Sequence, residues 1–256
     1  TILSRRGLSV AMIDRARHPR FTIGESSTPA ADLLLHDLAV HYELPELLPL
    51  VRFGTWRATY PEINCGCKRG FSYLWHAADG GYRGTADHQH ELLVAASAAR
   101  DVADTHWFRA DVDRFLSDVA ERYGVVCLAG AAVTGIEHPR SQDWTIDLEH
   151  AGRRRRLRAA FAVDASGPAG VLLDHLAVGD STEVLETRSS AVYSHWRDVR
   201  PLNDWLAERA SVVGGFPFPI QDSVIHHLYA DGWLWQIPFE NGVTSLGFVF
   251  ADADAA

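Results

Sequence analysis

Apolar residues recur at two spacings along this chain, and the balance between them shifts partway through. Over residues 30–40 they fall three and four apart, the period of a helix. Ser27-Thr28-Pro29 precedes that run as cap and first-turn proline. The same period returns over 111–123, where Val112, Phe115, Leu116, Val119 and Ala120 share a face and Gly124 stops the helix. Near the start, Arg5-Arg6-Gly7 reads as a helix end, followed by a short buried strand over 8–13 that closes on Asp14. Residues 53–60 and 71–75 alternate like strands, and strands recur over 125–128, 132–137, 144–148 and 157–163. Gly167-Pro168 breaks the chain before a short helix over 169–176. From Ser189 onward the texture is long and aromatic: strands are predicted over 190–197, 223–229, 232–238 and 243–250. Helix–strand alternation followed by a β-rich stretch predicts an α/β chain, with a nucleotide-binding half joined to a β-sheet substrate half.

Composition narrows the classes. Of 256 residues, 47% are hydrophobic and 22% charged, which excludes a disordered chain. A net charge of −9 argues against nucleic acid as the partner. No apolar run approaches the ~18 residues of a membrane span, so no membrane is expected. Three cysteines are too few for a disulfide scaffold and point to a reducing, cytoplasmic setting. Cys65-x-Cys67 with His76 is too tightly spaced for a zinc pair, and His88, His90, His226 and His227 lack partners at ligand spacing, so no metal is expected. The run Arg153–Arg156 reads as a solvated hairpin turn. The chain starts at Thr1, within what reads as an element, and Met12 is its one methionine.

The 24 basic residues are 23 Arg and one Lys, Lys68. Lys68 precedes an aromatic strand, Phe71-Ser-Tyr73-Leu-Trp75. An amine buried among aromatics can lose its proton and become nucleophilic, whereas a guanidinium stays charged. A chain so biased against lysine keeps one where arginine cannot do the same work. Other segments carry a second theme. Helix, Gly, hydrophobic strand and Asp14 form the second half of a dinucleotide-binding unit, whose acid accepts hydrogen bonds from a ribose. The remaining segments of interest are Arg20-Phe-Thr-Ile-Gly-Glu-Ser26 with Pro29, the Arg109-x-x-Val112-Asp113 helix, Val163-Asp-Ala-Ser-Gly167 and Trp233-Leu-Trp235-Gln-Ile237-Pro238. In a strand, Trp233, Trp235 and Ile237 face one side and form a rigid apolar wall that Pro238 would end.

These segments, in this order, resemble flavin-dependent halogenases among the FAD monooxygenases; W-x-W-x-I-P stands here unaltered, followed by Gly242-Val-Thr-Ser-Leu-Gly247. The resemblance implies an incomplete Rossmann-type FAD-binding domain (1–50 and 105–180) and a substrate-side β-sheet region (51–104 and 181–256). It implies FAD contacts at Asp14, Gly24, Glu25, Ser26, Arg109, Val133, Asp164 and Gly167, and a wall of Trp233, Trp235, Ile237 and Pro238 beside the flavin. Lys68 is the implied catalytic residue, meeting hypohalous acid made from reduced FAD, oxygen and chloride or bromide. A separate flavin reductase would supply the reduced FAD, and the electron-rich substrate would be a small molecule, free or on a carrier protein, in secondary metabolism such as antibiotic biosynthesis. The family pattern further implies a fragment lacking both ends: the glycine fingerprint before Thr1, and the flavin-closing segment and catalytic carboxylate after Ala256. Such a fragment is expected to retain FAD weakly or not at all. A carboxylate near Lys68 would be needed for acid or base work; Glu25 and Asp79 are candidates only by their place in the sequence, with no reason to choose between them. Two other readings stay open: an FAD-dependent hydroxylase of the same fold, and a truncated, non-catalytic piece.

Overall fold

The computed structural model describes residues 1–79, 81–139, 143–167, 170–179, 184–186, 188–208 and 215–251. Its elements, in chain order, begin with helix α1 (Ile2–Arg5), strand β1 (Ala11–Asp14) and helix α2 (Pro29–His41). A 3-10 segment, Pro45–Val51, leads into helix α3 (Phe53–Thr59). Strands β2 (Cys65–Lys68), β3 (Gly70–Trp75), β4 (Glu91–Ala95) and β5 (Asp104–Trp107) come next, then helix α4 (Arg109–Arg122). Strands β6 (Val126–Ala129), β7 (Ala131–Glu137), β8 (Trp144–His150) and β9 (Arg153–Ala159) precede helix α5 (Val171–Leu176). Strand β10 (Ser189–Arg197), helix α6 (Leu202–Glu208) and strands β11 (Ser223–Tyr229), β12 (Gly232–Pro238) and β13 (Val243–Ala251) complete it. No helix among the described residues is long and apolar enough to cross a membrane.

The chain divides into two units, 1–20 with 113–186 and 21–112 with 187–256. Residues 21–50, grouped by sequence with the first half, therefore share a unit with 51–112. In the first unit, β1 and β6 pair in parallel, and β7, β8 and β9 form an antiparallel sheet. Leu128, Ala131 and Leu148 make its core, with Ile13 and Leu157 packed against them. The strand predicted over 8–13 is shorter and shifted, at Ala11–Asp14.

The arginine run is not a turn. It lies in β9, and the turn is Ala151-Gly152, both at positive φ (52° and 70°) as a tight hairpin requires. Acids on β8 face it: Glu149 stands opposite Arg154, and Asp147 takes a two-pronged bond from Arg156, both arms 2.7 Å. Cross-strand pairing thus lets the charges extend the strand rather than break it. β9 then stops at Ala159, short of the predicted end, and Phe161 and Val163 are exposed outside it. Helix α5 begins at Val171; the expected residues 168–169 lie outside the described residues.

The second unit is built on a six-stranded sheet in the order β10-β13-β12-β11-β3-β4, antiparallel except for β11 beside β3. Val224 and Ile225, adjacent on β11, belong to different core clusters, as a strand's alternation demands. One cluster holds Trp235, Ile237 and Phe239; the other holds Leu74, Leu202 and Leu206. A second ribbon pairs β2 with β5 and sets Lys68 opposite Asp104. Residues 25–27 run beside β5, with Ser27 N bonding Thr105 O (3.0 Å) and Trp107 N bonding Glu25 O (2.6 Å).

Helix α2 starts as its sequence dictates: Thr28 Oγ1 accepts from Ala31 N at 3.3 Å and Pro29 takes the first helical position. The strand predicted over 53–60 is helix α3 instead. Phe53 and Trp56, three apart, bury on one side, and Trp56 Nε1 donates to Ile63 O at 2.9 Å. Packing of those two rings overrides the local alternation.

Candidate functional site

A cavity of about 330 Å³ opens in the second unit. Strand β12 gives it Trp233, Trp235 and Ile237, β11 gives Val224 and His226, and Lys68 and Phe71 come from β2 and β3. The segment Ile23–Ser26 with Thr28 closes the remaining side.

The tryptophan wall follows from strand period and one glycine. Residues 233, 235 and 237 alternate onto one face of an interior strand, bonded on both sides. Gly247 stands opposite Trp235, and a Cβ there would lie 2.1 Å from the indole. The absent side chain lets the ring lie across β13, where its Nε1 donates to Ser245 Oγ at 3.1 Å. Pairing runs through Pro238, opposite Thr244, and β12 ends there. Pro238 O approaches so closely that a Cβ on Gly66 would meet it at 2.3 Å.

Lys68 is fully buried, not a solvated surface lysine. Its Nζ donates to the Ser27 carbonyl and lies 4.1 Å from the centre of the Phe71 ring. Burial pulls its proton affinity down to about 8, against the opposing pull of Asp104 and Asp32. Its imidazole neighbours are held neutral: burial, helped by Lys68, pushes His106 down to about 3, and burial lowers His226 as well.

The acid that reaches the cavity is Glu25. Its Oε1 bonds His195 Nε2 at 2.6 Å, with both side chains buried. The His195 ring lies 4.6 Å from Phe21. Asp79 is elsewhere, exposed and paired with Arg83 at 2.6 Å. Sequence reasoning missed His195; it lies 170 positions from Glu25, and nothing local marks their meeting. Gly24 adopts φ +86°, and Arg109 donates to the carbonyls of Ile23 (2.9 Å) and Gly24 (3.2 Å). Arg109 is therefore a clamp on the 23–24 backbone. Ser26 Oγ is buried with no partner among the described residues.

The structure thus brings together Gly24, Glu25, Ser26, Lys68, Trp233, Trp235 and Ile237. Asp14, Val133, Asp164 and Gly167 belong to the other unit. Asp14 ends a parallel strand, accepts from Ala16 N at 2.8 Å and pairs with Arg20 at 3.2 Å. Val133 pairs with Leu148 at a bulge in β7. Asp164 accepts from Ser166 N, Ser166 Oγ and Leu172 N, which hold its carboxyl below the usual range. With Gly167 (φ +64°) it borders an open hollow of about 410 Å³. Cys65 and Cys67 are buried free thiols pushed up to about 12 by burial, and His76 bonds His227 (2.9 Å) rather than joining them.

Residues 103–256 match the family described as tryptophan halogenase. Monodechloroaminopyrrolnitrin halogenase PrnC of Pseudomonas fluorescens is 28% identical over 240 residues, which cover 94% of this chain and 40% of that enzyme. Tetracycline 7-halogenase of Kitasatospora aureofaciens is 27% identical over 243 residues, covering 94% and 41%. Among solved structures, halogenase PltM in complex with phloroglucinol and FAD is similar with a TM-score of 0.83 and 28% identity, over 99% of this chain and 49% of that one. The chain spans about 40% of the length of these curated relatives.

Proposed function

Because this chain belongs to the tryptophan halogenase family, we propose that it carries the halogen-transfer site of a flavin-dependent halogenase, centred on Lys68. The observation that carries this reading is the placement of the chain's one lysine: fully buried, facing the same cavity as Trp233, Trp235 and Ile237.

The residues fit a flavin on two counts. Ser26 presents a buried hydroxyl without a partner among the described residues, and Gly24 exposes backbone in a left-handed conformation beside Arg109. Gly24, Glu25 and Ser26 would hold the cofactor at the cavity. When bound and reduced by a partner reductase, FAD supplies with oxygen and chloride or bromide the hypohalous acid that the site uses.

The chain's own groups do the rest. The Trp233–Trp235–Ile237 face excludes water and keeps an electron-rich small-molecule substrate apart from the cofactor. Burial leaves part of the Lys68 population unprotonated near pH 8, so its amine can take halogen from hypohalous acid as the oxygen–halogen bond breaks and an amine proton leaves with the oxygen as water, while the ammonium form donates a hydrogen bond to the oxidant. Glu25, held by His195, is the one acidic residue among those that line the cavity. Arginine in place of Lys68 would offer no free lone pair.

The test uses the enzyme that carries this chain, given reduced FAD, oxygen, bromide and an electron-rich phenol or pyrrole. A brominated product, absent without bromide, is the expected result. A hydroxylated product formed equally with and without halide would overturn the reading in favour of a monooxygenase.

A further inference from the structure

Behind Lys68 lie two carboxyls with no part in the reaction just described. Asp104 stands directly opposite Lys68 in the β2–β5 pairing, so the two side chains leave the same face of that ribbon. Asp32, in the first turn of α2, arrives from a different element and lies against Asp104. Each is only 6% exposed. As ionised groups, both would be acceptors only. Neither oxygen of Asp32, nor Oδ2 of Asp104, then has a donor in full hydrogen-bonding geometry among the described residues, although the Ser27 hydroxyl stands near enough to Asp32 to favour its ionised form. Lys68 Nζ donates to the Ser27 carbonyl and makes no hydrogen bond to these three oxygens.

Two touching carboxylates shut away from water would repel each other and leave lone pairs unsatisfied. A single proton between them cures both faults: it cancels one charge and provides the missing donor. The surroundings favour one remaining charge rather than none. Arg52 and Lys68 both act on Asp104 as cations, while His106 and His226, also facing Lys68, are neutral.

We propose that Asp32 and Asp104 hold one proton between them and act as a single negative charge behind Lys68, positioning residues that fix how readily its ammonium releases a proton into the cavity. The role rests on Lys68 being the reacting amine. With two charges behind it, Lys68 would be locked as an ammonium; with none, burial would strip its proton at far lower pH. One charge leaves it able to cycle.

The enzyme that carries this chain makes this measurable. With lysine labelled with ¹³C at Cε, the side-chain resonance that Lys68→Met removes is that of Lys68, and its pH titration reads Lys68 alone. Asp32→Asn keeps one charge on Asp104 and replaces the shared proton with an amide donor, so the Lys68 midpoint stays in place. Asp104→Asn removes the nearer charge and lowers the midpoint; the double variant lowers it further, by about one unit or more. Infrared spectra of the unsubstituted protein at neutral pH, which need no variant to fold, show the C=O stretch of a protonated carboxyl, and either single substitution removes it. Two results would overturn the proposal: an equal drop in midpoint for Asp32→Asn and Asp104→Asn, or no protonated-carboxyl band. Neither readout depends on halogenation, so a failed halogenase assay and a failed carboxyl pair are separately visible.

Discussion

Lys68 shows how one residue ties stability to chemistry. Folding lowers its proton affinity from the ordinary 10.5 to about 8. Below about pH 8 the folded chain bears the full cost of a buried ammonium, about 3 kcal/mol. Between 8 and 10.5 the unfolded chain holds a proton that the folded chain has released, so stability rises with pH across that window. Urea unfolding at stepped pH should show the rise in the parent and not in Lys68→Met. Asp32 works in the opposite sense. Burial, then Asp104, raises it well above the usual carboxylate range, so the folded chain keeps a proton that the unfolded chain has lost from about pH 4 upward. Stability from this group falls as pH climbs from about 4 towards the raised midpoint, and Asp32→Asn should flatten that fall in the same experiment. Lys68 was legible in the sequence because 23 arginines surround it with contrast. Its two acid neighbours were not: Asp32, Lys68 and Asp104 meet only through the β2–β5 register and the docking of α2. The same holds for Glu25 with His195.

At the scale of elements, strand period predicted the wall and a glycine makes it possible. Gly247→Ala places a methyl into the Trp235 indole, 2.1 Å from its nearest atom, with the strand backbone unable to retreat from two neighbours. The substitution should destabilise the chain by about 1–3 kcal/mol and alter near-ultraviolet circular dichroism from the displaced indole. A native-like spectrum with unchanged unfolding midpoint would contradict the packing described. Two elements were misread from sequence for different reasons. Residues 53–60 alternate like a strand, but Phe53 and Trp56 pack as successive turns of a helix, a preference set by the core they enter. The arginine run looked like a turn because charge patterning suggests solvent; it is a strand because Asp147 and Glu149 face it across a two-residue turn. Helix α2 was legible from its cap and period, and α4 from its period and stop.

At the scale of the whole molecule, the α/β class followed from helix–strand alternation and a late run of aromatic strands. The division at residue 20 did not, because 21–28 carry no composition shift; they join the second unit through backbone bonds to β5. Those bonds carry Gly24, Glu25 and Ser26 to the cavity that Lys68 faces. The sheet, the wall and the β2–β5 ribbon together hold one buried amine beside a mostly apolar cavity. The measurement that tests this most directly is product formation by Lys68→Arg in the enzyme that carries the chain, with oxidation of reduced FAD by oxygen followed alongside. Halogenated product should fall by about 100-fold or more while flavin oxidation continues. Halogenation within about twofold of the parent would remove Lys68 from the mechanism and contradict the account.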